Sequence, residues 1–163
     1  MNKLYIKQSP LLRKEIDQMQ EIAMTSTSQE VSNDTVKLTK RPVEAPIFEV
    51  EDKYKKLLSS LTEESVDNLK FVTYGASFSK DSFIRPHRMI DTDETIKYVV
   101  ITKVKDSDDL VEGILRIYSD DGYVGTVELD KGSTICFSSK SKFEISRVRE
   151  GSSLLFFSLV YEK

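Results

Sequence analysis

Hydrophobic positions follow two different periods along this chain. Leu12, Ile16, Met19 and Ala23 recur at spacings of four, three and four, with Ile22 beside the last. That is one apolar stripe on an amphipathic helix. Ser9 and Pro10 suit its start: a serine side chain can cap free N–H groups, and proline lacks the donor that would go unpaired there. A second helix is predicted over residues 50–61, where Tyr54, Leu57, Leu58 and Leu61 share a face. Thr62 can cap a further short turn over residues 63–68. Between the helices, residues 25–35 hold one apolar residue in eleven. Such a stretch buries too little apolar surface to offset the entropy of ordering it, so residues 25–40 read as a mobile linker.

From residue 69 onward the period drops to two. Residues 69–74 alternate and end at Gly75, and residues 95–104 form a long β-branched run. Residues 112–118 lead into Ser119-Asp120-Asp121-Gly122, a turn between β-prone runs that signals a hairpin. The return strand covers 123–129, and strands over 134–137, 143–148 and 154–161 complete the train. Short strands with turns every eight to twelve residues or so imply a sandwich or jelly-roll barrel. The expected fold class is α+β, mainly β. A helix and flexible linker occupy residues 1–45, and a jelly-roll domain with its leading helix occupies 46–163.

Composition narrows the function. Of 163 residues, 39% are hydrophobic and 31% charged, with a net charge of −3. One globular domain is the expectation. No overall basic excess supports duplex nucleic-acid binding. Cys136 is the only cysteine, so neither an internal disulfide nor a cysteine-based metal site can form. Between Ile135 and Phe137 it reads as a small buried hydrophobe. No apolar run reaches the roughly 18 residues of a spanning helix, and the start of the chain lacks a signal-peptide pattern. A cytoplasmic protein is expected.

The order of the strand motifs resembles the double-stranded β-helix of the 2-oxoglutarate- and iron-dependent dioxygenases, in particular their prolyl-4-hydroxylase branch. Residues 71–75 followed by Pro86-His87 resemble the family's entry strand and iron-binding His-x-Asp. Residues 112–118 are similar to its Gly-Gly-x-Leu strand, residues 132–139 to its glycine turn and Phe-x-Ser strand, and residues 148–151 to its Val-x-x-Gly turn. The resemblance spans residues 69–163. It implies Fe(II) held by two histidines and one carboxylate. Residue by residue that set is broken. His87 stands at the first histidine, Met89 at the carboxylate, Phe143 at the second histidine, and Ser153 at the basic anchor for 2-oxoglutarate. Asp91 and Asp93 are out of register, since four residues span about 13 Å of strand. His87 is the only histidine in the chain.

The expectation is therefore a non-catalytic barrel, with no cofactor, that binds a protein partner. Its contact elements are the helix face of Leu12, Ile16, Met19 and Ala23, the 25–40 segment, and the barrel mouth near Arg85, His87 and Arg88. Packing of the helix stripe on the chain's own barrel stands beside the partner reading. One alternative is a cupin-like binder or non-standard enzyme in which Arg85, Arg88, Arg116 and Arg147 grip an anionic ligand. Another is a structural subunit that assembles with copies of itself.

Overall fold

A computed structural model describes residues 4–43, 48–87, 96–119 and 121–162. Strand β1 (Tyr5–Gln8) and helix α1 (Arg13–Thr25) open the chain, followed by strands β2 (Gln29–Ser32) and β3 (Val36–Pro42) and helix α2 (Phe48–Ser59). The barrel strands are β4 (Leu69–Phe78), β5 (Phe83–His87), β6 (Ile96–Asp106), β7 (Leu115–Tyr118), β8 (Val124–Val127), β9 (Thr134–Ser138), β10 (Lys142–Ile145) and β11 (Ser153–Glu162).

The strands form one curled antiparallel sheet in the order β1-β9-β6-β11-β4-β3-β5-β10-β7-β8, with β2 paired to β3. The longest ladders join β11 to β4 and to β6. Strand β3 ties the two halves together: positions 39–42 pair with β4, and positions 36 and 37 pair with β5. At the far edges, Gly125 of β8 lies so close to β1 that a Cβ there would sit 3.0 Å from the Tyr5 ring.

Side-chain alternation sorts the β6, β9 and β11 residues into two layers. Val99, Ile101, Ile135, Phe137, Leu155 and Phe157 face the barrel interior, in one core cluster with Phe143 and Ile145 of β10. Val100, Cys136 and Val160 face outward against Val50, Tyr54, Leu57 and Leu58 of α2. Val104, Leu154 and Phe156 meet Ile16, Met19 and Ala23 of α1. Burying Ile16 and Met19 in this way contributes about 1.5–3 kcal/mol each. Polar links also cross this outer layer. The Tyr54 hydroxyl is 2.6 Å from Thr102 Oγ1, which is 2.7 Å from Thr134 Oγ1.

The structure meets one of the two readings of the helix stripe and corrects other expectations. The helix stripe packs on the chain's own barrel: Ile16, Met19 and Ala23 are buried, whereas Leu12 is 53% exposed at the helix start and lies outside that contact. Helix α1 begins at Arg13, not at Ser9-Pro10, because the buried Glu15 carboxylate accepts the Leu12 N–H at 2.7 Å and pairs with Lys53. The 25–40 segment is not a linker. It forms β2 and most of β3, and β3 gains its order from pairing with both β4 and β5. Residues 5–8, which carry too short a pattern to predict a strand, pair along β9. Residues 63–68 form bends and turns instead of a helical turn, with the Glu64 N–H donating to Thr62 Oγ1 at 3.1 Å.

Candidate functional site

The antiparallel ladder between β5 and β10 sets His87 directly opposite Phe143. These are the positions at which the sequence resemblance implies the two iron-binding histidines. Their rings lie 5.1 Å apart at 40°. The His87 Nδ1–H donates to the Arg85 carbonyl at 3.0 Å, which fixes the imidazole against its own strand.

Phe143 is fully buried. Its ring centroid lies 5.5 Å from Phe137 and 6.3 Å from Phe157. Phe157 stacks on Tyr74 at 5.5 Å with planes 4° apart, and the Lys40 ammonium sits 4.7 Å above the Tyr74 ring. Each well-placed aromatic pair adds about 0.5–1.5 kcal/mol beyond the area it buries. The centre of the barrel is thus occupied by interlocked rings. Burial pushes the Tyr74 hydroxyl well above the usual tyrosine range, with Tyr161 adding to the shift, so it stays protonated at neutral pH.

Ser153 begins β11 at the position where the resemblance implies a basic anchor. It is buried, and its hydroxyl donates to Asp106 Oδ1 at 2.7 Å. Asp106 in turn receives both bonds recorded for the Lys103 ammonium, at 2.9 and 3.0 Å. Lys103 lies on β6 on the same face as Val99 and Ile101, so it belongs to the barrel interior, and it is 6% exposed. Sequence reasoning missed this lysine. Its signal was the alternation of 99, 101 and 103 within the apolar 95–104 run, which places a charge on an inward face.

Of the expected arginines, Arg85 and Arg147 come together and Arg116 lies apart from them. Arg85 and Arg147 lie over the Phe83 ring at 5.5 and 4.8 Å and are exposed. Arg116 is on the outward face of β7 and reaches Glu144 Oε1 at 3.5 Å, beside the Tyr118 hydroxyl, which donates to the same oxygen at 2.5 Å. Neither described cavity is lined by any of these three. Arg88, Met89, Asp91 and Asp93 lie outside the described residues. Cys136 is buried on the outer face of β9, where burial pushes its thiol up to about 12 and removes thiolate chemistry at neutral pH. Among the described residues, no helix is long and apolar enough to cross a membrane.

No family model and no curated protein matches the sequence. Solved structures do match over nearly the whole chain. An oxidoreductase of the 2OG-Fe(II) oxygenase family from Burkholderia pseudomallei aligns with a TM-score of 0.81 at 12% identity, covering 97% of this chain and 85% of that one. A Pseudomonas putida prolyl-4-hydroxylase aligns at 0.72 and 15% identity, covering 98% and 93%. The viral collagen prolyl hydroxylase of Paramecium bursaria Chlorella virus-1 aligns at 0.73 and 14% identity, covering 99% and 97%. The fold is the double-stranded β-helix of the 2OG-Fe(II) oxygenases.

The residues present do not fit the iron of those enzymes. One imidazole faces a phenyl ring in the ladder, and a phenyl ring offers hard Fe(II) no lone pair. Nor does a basic side chain at position 153 await a dicarboxylate: Ser153 stands there, with its hydroxyl bonded to Asp106.

Proposed function

We propose that this chain is a non-catalytic member of the oxygenase-fold barrels and acts by binding a protein partner. The observation that carries this reading is the His87–Phe143 pair, with Phe143 locked among Phe137 and Phe157. A phenyl ring stands in place of the second imidazole, and a protein partner would be met on the outer surface.

Two of the expected contact elements are neighbours. Strand β3 joins the β2–β3 hairpin to β5 through the Lys37–Phe83 register pair. This edge carries Lys37, exposed Arg85 and exposed Arg147 around Phe83, on a chain whose net charge is −3. A local basic edge on an acidic protein suits an acidic segment of a partner, which it would steer by charge.

The test begins with protein purified after iron-replete expression. Iron content well below stoichiometric and no 2-oxoglutarate turnover above background are expected. Stoichiometric Fe(II) with turnover lost in His87→Ala would falsify the non-catalytic reading. For the partner, Arg85→Glu with Arg147→Glu is expected to abolish co-purification of proteins that wild type retains. An unchanged set of retained proteins would remove this edge from the interface.

A further inference from the structure

The end of the barrel interior away from His87 is open. A cavity of about 320 Å³ lies beside Lys103 and Asp106, within the lower range of small-molecule sites. Leu115, Ile145 and Leu155 give it an apolar wall, and Glu112, Glu128 and Asp130 also line it. Neither His87 nor Phe143 lines it, so the inference does not rest on the non-catalytic reading.

The lysine is the telling feature. Taking an ammonium out of water into a barrel interior is unfavourable, and a pair with one carboxylate offsets that only in part. Lysine has three N–H donors. Two bonds are recorded here, both to Asp106, and the third donor has no partner among the described residues. The Asp106 side chain is 31% exposed, so its carboxylate also remains open to a further donor. A fixed plus–minus pair of this kind, set against an aliphatic wall, is complementary to a second plus–minus pair that carries an aliphatic tail.

We propose that this cavity binds a small zwitterion of the amino-acid type with an aliphatic side chain. The ligand carboxylate takes the third N–H of Lys103. Its ammonium lies on Asp106. Its side chain packs against Leu115, Ile145 and Leu155. A simple anion satisfies Lys103 but faces Asp106, Glu112 and Asp130 uncompensated. An alkylamine satisfies the carboxylates but leaves the buried lysine donor unused.

Titration calorimetry of the full chain with L-norleucine, hexanoate, hexylamine and 2-oxoglutarate tests the proposal. Saturable binding of norleucine is expected, with each singly charged analogue weaker by about tenfold or more, as for loss of one charge-assisted hydrogen bond. No binding of 2-oxoglutarate is expected. Lys103→Met should weaken norleucine to the same extent while the thermal midpoint holds, since Asp106 keeps its Ser153 bond and reaches water. Leu155→Phe, which fills the cavity and keeps the ion pair, should abolish binding and serves if Lys103→Met does not fold. Absence of norleucine binding, hexanoate binding as tight as norleucine, or binding unchanged in Leu155→Phe would each overturn the proposal.

Discussion

Around Phe143 the described side chains make the barrel interior solid and aromatic, whereas at Lys103 it is open, aliphatic and charged. The same strands build both ends. On β10, Phe143 belongs to the solid end and Ile145 to the open one; on β11, Phe157 and Leu155 divide in the same way. One step of two residues, about 6.5 Å along a strand, separates them. Side-chain size at successive inward positions therefore decides where this barrel has room. The neighbouring oxygenase structures share the backbone path, but the path does not by itself fix where a ligand can sit.

The largest expected effect breaks the solid end. Phe143→Ala should cost about 3–5 kcal/mol, because a fully buried ring is lost together with its contacts to Phe137, Phe157 and His87. Urea unfolding should show the midpoint falling with an unchanged slope. A loss below about 1 kcal/mol would mean that this centre is not a packed unit, and the contrast between the ends would disappear.

Much of the solid end was legible in the sequence. The family resemblance set His87 and Phe143 at the two histidine positions, and the ladder puts them in register. The open end was not legible. Lys103 sits in an apolar run, but its importance comes from Asp106 and Ser153, and Ser153 is brought beside Asp106 only by pairing of β11 with β6. The β2–β3 hairpin was missed for a related reason. Its polar strand is held by backbone pairing to β3, which side-chain hydrophobicity cannot report. The helix stripe was legible as a stripe. What covered it depended on Val104, Leu154 and Phe156, which fold onto it from distant sequence.

A smaller effect probes the turn that leads into the open end. Gly151 has φ +81°, and a Cβ there would meet the Leu110 backbone at 2.7 Å and Ser107 Oγ at 2.5 Å. Gly122, at the β7–β8 turn, has φ +88° with nothing within 4 Å. Both replacements by alanine incur left-handed strain of about 1–2 kcal/mol. Only Gly151→Ala adds a backbone clash, so it should cost more than about 2 kcal/mol and exceed Gly122→Ala. Equal thermal shifts in the two variants would show that the Ser107–Leu110 loop yields freely, and that the cavity wall beside it is soft.

The smallest effect tests how firmly the open end is held. Ser153→Ala removes the 2.7 Å bond to Asp106 and leaves no buried donor unpaired. A hydrogen bond to a charged acceptor contributes about 1.5–3 kcal/mol when water cannot replace it. Here the Asp106 side chain is 31% exposed, so water can take the vacated position, and Lys103 keeps both of its bonds. A loss of about 1 kcal/mol is therefore expected in urea unfolding. A loss above about 2 kcal/mol would mean that Ser153 anchors the Lys103–Asp106 pair and that this end is as tightly determined as the aromatic one. A loss near zero would place the pair in a wet, adaptable setting, where the ion pair orients itself on whatever enters the cavity.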